Sequence, residues 1–102
     1  MLASFSVAPV GVGESLSKYV AKIISLIDES GLSYRMGAMN TTVEGTQEEV
    51  ISLIMDCHNL MKDAAGRVLT SITIDDRKGA TGRLTGKIDD VEKIIGRDIS
   101  RE

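Results

Sequence analysis

The chain has no tryptophan and only three aromatic residues, Phe5, Tyr19 and Tyr34. Its core must therefore be built from aliphatic side chains. A nucleic-acid surface that stacks bases on aromatic platforms is excluded by the same shortage. Cationic charge is also scarce: 12 Lys and Arg against 15 Asp and Glu leave a net charge of −3. Affinity for nucleic acid comes largely from neutralising phosphates, so this balance argues against such a partner. One cysteine, Cys57, rules out an internal disulfide. One cysteine and one histidine (His58) cannot fill a tetrahedral zinc site. The lone proline, Pro9, is expected to end the first strand. No apolar run approaches the roughly 20 residues of a membrane span. Without a secretory h-region at the start, the expected location is cytosolic.

What is present is a periodic pattern. A chain of 102 residues with 42% apolar content reads as a single domain, 1–102, with one core. Strand side chains alternate between faces. In Leu2–Ala8, Ala3, Phe5 and Val7 fall on one side, and Ser4 and Ser6 on the other. In 40–45, Val43 opposes Thr42 and Glu44. In 68–76, Val68, Ile72 and Ile74 oppose Leu69, Ser71, Thr73 and Asp75. Each strand has an apolar side that needs helices over it, and a side of small hydroxyls and carboxylates.

Helical spacing appears twice between these strands. Leu16, Val20, Ile23, Ile24 and Ile27 form one stripe, on a helix expected over 14–30 with Ser15 as N-cap. Gly31 suits the position that ends it. Val50, Leu53, Ile54, Cys57, Leu60 and Met61 form a second stripe. Thr46 with Glu49 makes a capping box at its start, and the helix is expected to end near Ala65–Gly66. A second strand is expected over 32–39, turning at Asn40 into the third. A short terminal helix is expected over 87–95, after a mobile Gly- and Thr-containing loop. The order is β-α-β-β-α-β plus a terminal helix. That is an α+β, ferredoxin-like arrangement: a four-stranded antiparallel sheet with two helices on one face.

Several local features read as structural. The Gly11–Ser15 turn precedes a helix but lacks a phosphate-binding Lys, and Glu14 would repel an anion. It also lacks the Arg of the acylphosphatases that share this topology. Without Cys-x-x-Cys, a metal chaperone of the same fold is not indicated. Cys57 reads as a core filler and His58 as a residue at the border of the stripe. Met36, Met39, Met55 and Met61 read as packing residues. The basic cluster Arg77, Lys78, Arg83 and Lys87 reads as solvated surface.

Three segments resemble a family of small thiamine-binding proteins. Ala3–Gly11 looks like the family's first strand and turn. Tyr34–Gly45 is similar to its Tyr…Met-Gly-Thr…Glu-Gly hairpin, with Asn40 where many relatives carry Gly. Thr73–Arg77 resembles its Ile-Asp-Asp-Arg strand end. The resemblance implies homo-oligomers, dimers or a homotetramer. It also implies a ligand such as thiamine or its hydroxymethylpyrimidine part, and no established catalysis or resident cofactor.

The expected pocket residues are Ser4, Ser6, Asn40, Thr42, Glu44, Thr73 and Asp75, with Tyr34 as a lid or stacking group. Glu44 can accept from an aminopyrimidine amino group, and Asp75 can face a thiazolium cation. Two other classes stand beside this reading. One is a structural or regulatory module whose sheet face only mediates oligomerisation. The other is an enzyme using Glu44 and Asp75 as acid and base, with no nucleophile, metal or activated histidine beside them.

Overall fold

The computed structural model describes residues 1–11 and 17–101. The expected N-cap Ser15 and the first residues of the expected first helix lie outside that range. The elements are β1 (Leu2–Pro9), α1 (Ser17–Glu29), β2 (Ser33–Met36), β3 (Thr41–Glu44), α2 (Gln47–Ala65), β4 (Val68–Asp75) and α3 (Arg83–Ile95). The four strands form one sheet in the order β2-β3-β1-β4, with every neighbouring pair antiparallel. This is the ferredoxin-like α+β arrangement anticipated from the chain.

Register assigns the faces. Ala3 pairs with Val43 on one side and Ile74 on the other, and Phe5 pairs with Thr41 and Ile72. Paired residues point the same way, so these side chains share one face. There α1 contributes Ile23 and Ile27, and α2 contributes Val50, Leu53, Ile54, Cys57 and Met61. Together with Ala3, Phe5 and Val43 they form the buried core, with Phe5 its only buried aromatic. Burial and the neighbouring Asp56 push the Cys57 thiol up to about 11, so it is a neutral apolar filler at physiological pH. His58 Nδ1 lies 2.7 Å from the Thr70 hydroxyl, which ties α2 to β4.

Both ends of α2 follow local chemistry. Thr46 accepts from the Glu49 N–H, and the Glu49 carboxylate accepts from the Thr46 N–H at 3.0 Å. Those bonds hold the Glu49 carboxyl below its usual range. At the other end Gly66 takes φ +82° and donates to the Lys62 carbonyl at 2.7 Å. An open αL position of this kind is the one that favours glycine.

The structure departs from expectation in three places. β2 stops at Met36, because residues 37–40 form the hairpin turn, closed by the Gly37 N–H donating to the Asn40 carbonyl at 2.8 Å. α3 begins at Arg83, four residues before the expected start, since its first turn is capped from outside the helix. Of the methionines expected to pack, only Met61 is buried; Met36, Met39 and Met55 are exposed.

Replacing Thr46 with Ala should remove half of the capping box and cost about 1 kcal/mol. Urea denaturation should show the midpoint fall at unchanged slope. An unaltered midpoint would mean that α2 is started by its packing alone.

Candidate functional site

The face away from α1 and α2 carries two transverse rows of side chains. Arg35 pairs with Thr42, Thr42 with Ser4, and Ser4 with Thr73. In the adjacent row Ser33 pairs with Glu44, Glu44 with Leu2, and Leu2 with Asp75. Glu44 and Asp75 thus flank Leu2, about 10 Å apart across two interstrand spacings. Ser6 pairs with Ser71 on the same face. The expected residues Ser4, Ser6, Thr42, Glu44, Thr73 and Asp75 therefore share one surface.

α3 packs over the β3 and β2 side of this surface. Its docking rests on the two carboxylates. The Arg83 N–H donates to Glu44 Oε2 at 2.8 Å, and the Leu84 N–H donates to Glu44 Oε1 at 3.2 Å. Gly82 at the N-cap makes no side-chain cap bond of its own. A carboxylate at this end satisfies orphan N–H groups and complements the helix dipole. One turn along, Lys87 donates to Asp75. That bond and the Lys87 charge, with smaller contributions from Arg83 and Arg77, hold the Asp75 carboxyl below its usual range. A cavity of about 160 Å³ lies here, bordered by Glu44, Asp75, Arg77, Arg83 and Lys87 among others. Two members of the cluster expected to be only solvated, Arg83 and Lys87, are thus ion-paired to Asp90 and Asp75.

Two expected pocket residues lie elsewhere. Tyr34 pairs with the fully buried Val43, which places it on the helix-covered face. Its hydroxyl donates to Asp28 of α1 at 3.0 Å, and that bond raises its pKa. Tyr34 therefore joins β2 to α1, and it is neither a lid nor a stacking group for the open face. Asn40 sits in the hairpin turn and borders a separate, mostly apolar cavity of about 140 Å³ with Met36, Met39, Val20 and Ile24. Sequence reasoning missed Arg35. Alternation from Ser33 would have placed it on the polar face once the strand's limits were known.

The profile of the family described as "Thiamine-binding protein" matches residues 3–92. The chain belongs to that family. It is similar to the UPF0045 protein Mb1933 of Mycobacterium bovis, at 36% identity over 93% of this chain and 94% of the relative. Among solved structures, MJ1052 of Methanocaldococcus jannaschii superposes with a TM-score of 0.76 at 33% identity, covering 93% of this chain and 94% of that one. A Thermotoga maritima protein described as a candidate thiamine biosynthesis/salvage protein superposes with a TM-score of 0.78 at 26% identity, over 88% and 96% of the two chains. The profile match of this member of the thiamine-binding family takes in β1 from Ala3, the other three strands, α1, α2, and α3 as far as Glu92. Among the described residues, no helix is long and apolar enough to cross a membrane.

The Asp75 shift has a sign that can be worked out. A carboxyl whose folded-state pKa is depressed stabilises fully above its unfolded value and loses that contribution as pH falls through the folded value. Hydrogen-exchange protection of the α3 amides should thus fall as pH drops below about 4, ahead of that of β1. Lys87→Met should remove the part of this dependence that belongs to Asp75. Equal acid sensitivity of α3 in wild type and variant would assign the effect to other groups.

Proposed function

We propose that the open sheet face binds thiamine or its hydroxymethylpyrimidine moiety without catalysis, in a cytosolic, self-associating protein. The observation that carries this reading is the register: three hydroxyls in one row and two carboxylates in the next, all on one face. Membership of the thiamine-binding family supports it, as does the description of the Thermotoga maritima neighbour. Hydroxyls can donate or accept, which suits a heterocycle that presents an amino group and ring nitrogens. A charge-assisted hydrogen bond is worth roughly 1.5–3 kcal/mol, or about tenfold to a hundredfold in affinity. Glu44 is the chosen partner for the amino group and Asp75 for a cationic ring. The half of the face towards β4 offers Thr73, Ser71 and Asp75 to solvent, so a ligand can enter from that side.

Calorimetric titration with thiamine and hydroxymethylpyrimidine tests the reading. Binding should be measurable, and Glu44→Gln should weaken it about tenfold or more while the subunit number stays constant. No heat and no thermal shift at about millimolar ligand would remove the proposal.

A second observation favours self-association. β4 is an eight-residue edge strand without a charged residue before Asp75. It exposes Leu69 (59%), Ile72 (42%) and Ile74 (46%). Long apolar edges are ready templates for pairing with another chain, and natural edge strands usually carry a charge or bulge against it. Two copies pairing β4 to β4 about a two-fold axis would cover these residues, and a further pairing of dimers would make the homotetramer. Should Glu44→Gln break the oligomer rather than the binding, the face would be an interface and not a site. Ile74→Lys should lower the mass measured by light scattering to that of one chain. A single-chain mass already in wild type would exclude self-association at that concentration.

A further inference from the structure

Arg35 stands at the β2 end of the hydroxyl row, beside Thr42, on the face towards α3. Its Nε is withdrawn from solvent and has no hydrogen-bond partner on the protein. Among the described residues Arg35 takes part in no ion pair. Of the other cations near this face, Arg83 is matched by Asp90, Lys87 by Asp75, and Arg101 by Asp89 and Glu92, whereas Arg77 at the cavity border is, like Arg35, in none of these pairs. Glu44, the carboxylate nearest in register, accepts from the N–H groups of Arg83 and Leu84 and not from Arg35.

A guanidinium stays charged at any physiological pH. Its planar fork matches the oxygens of a phosphate, often through two parallel hydrogen bonds. The Thr42 and Ser4 hydroxyls continue the row and can donate to the same group. The opposite end of the face holds Asp75, and Glu44 stands between. The surface is therefore polarised, with a cation at the β2 edge and carboxylates across the adjoining row. A ligand matching it carries a positive ring near the carboxylates and an oxyanion towards the β2 edge.

From this arrangement we infer that Arg35 is an anion-recognising residue and that the ligand is a phosphate monoester of the heterocycle proposed above. The inference rests on the open face being the ligand surface, and it adds the chemical class of the ligand's tail. Arg35 acts as a specificity residue, selecting the phosphorylated compound over the free alcohol.

The test titrates wild type, Arg35→Gln and Arg35→Lys with thiamine, thiamine monophosphate and inorganic phosphate. In wild type the monophosphate should bind at least about tenfold more tightly than thiamine. Arg35→Gln should erase that preference and leave thiamine affinity within about twofold. Arg35→Lys, which keeps the charge but loses the fork, should retain part of it. Equal affinities in wild type would overturn the inference while leaving thiamine binding intact, and so would a preference that survives Arg35→Gln. A purely structural Arg35 would show itself as a lower melting temperature with the preference unchanged. If thiamine fails to bind but inorganic phosphate binds in an Arg35-dependent way, the anion site stands and the thiamine reading falls. Silence from all three probes would overturn both.

Discussion

The arrangement of the polar side of this molecule depends on the Glu44 carboxylate. It ends β3 and, through two backbone N–H groups, begins α3 at a sequence separation of 39 residues. Without it the first turn of α3 would be left with a left-handed glycine, which supplies no side-chain oxygen. The helix gains little elsewhere, since none of its residues is buried and Ile94 is 84% exposed. Its attachment is electrostatic at one end and weakly apolar along its length. Hence the acid sensitivity that Asp75 confers bears on this layer more than on the core, where the buried residues are apolar apart from Thr41.

The two faces of the sheet divide the work. The covered face is a conventional aliphatic core, in which Ile27, Ile54, Met61, Val43, Val50 and Cys57 have essentially no contact with water. Burial at roughly 25 cal/mol per Å² of apolar surface is the force that fixes it. The other face holds hydroxyls, carboxylates and a guanidinium in a regular lattice of cross-strand pairs. A slip of one residue would invert both faces. The rigid core therefore protects the register on which any recognition by the polar rows depends.

Much of this was legible in the chain. Alternation in β1, β3 and β4 placed Ser4, Thr42, Glu44, Thr73 and Asp75 together, because period-two patterning needs no tertiary information. The α2 boundaries were legible for the same reason: Thr46, Glu49 and Gly66 act within one turn. The start of α3 was not, since its cap is a side chain from a distant strand and its first turn contains Gly86, a residue that reads as loop. Tyr34 was misplaced because β2 has only four residues, too few for alternation to choose a face. Asn40 was assigned to the pocket through the hairpin motif, although the turn carries it to the opposite end of β3. Arg35 escaped notice for the reason that misled the placement of Tyr34, its neighbour in the same short strand.

The unequal lengths of the two sheet margins carry a geometric consequence. One margin, β4, offers eight residues, whereas the other, β2, offers four and is fastened to α1 by the Tyr34–Asp28 bond. Head-to-tail stacking would have to join the long margin to the short one and would leave half of each new joint unmatched. Like-to-like union consumes the long margin and presents only short ones to the outside. For the self-association proposed above, the asymmetry would disfavour open-ended fibres and favour a closed, countable assembly.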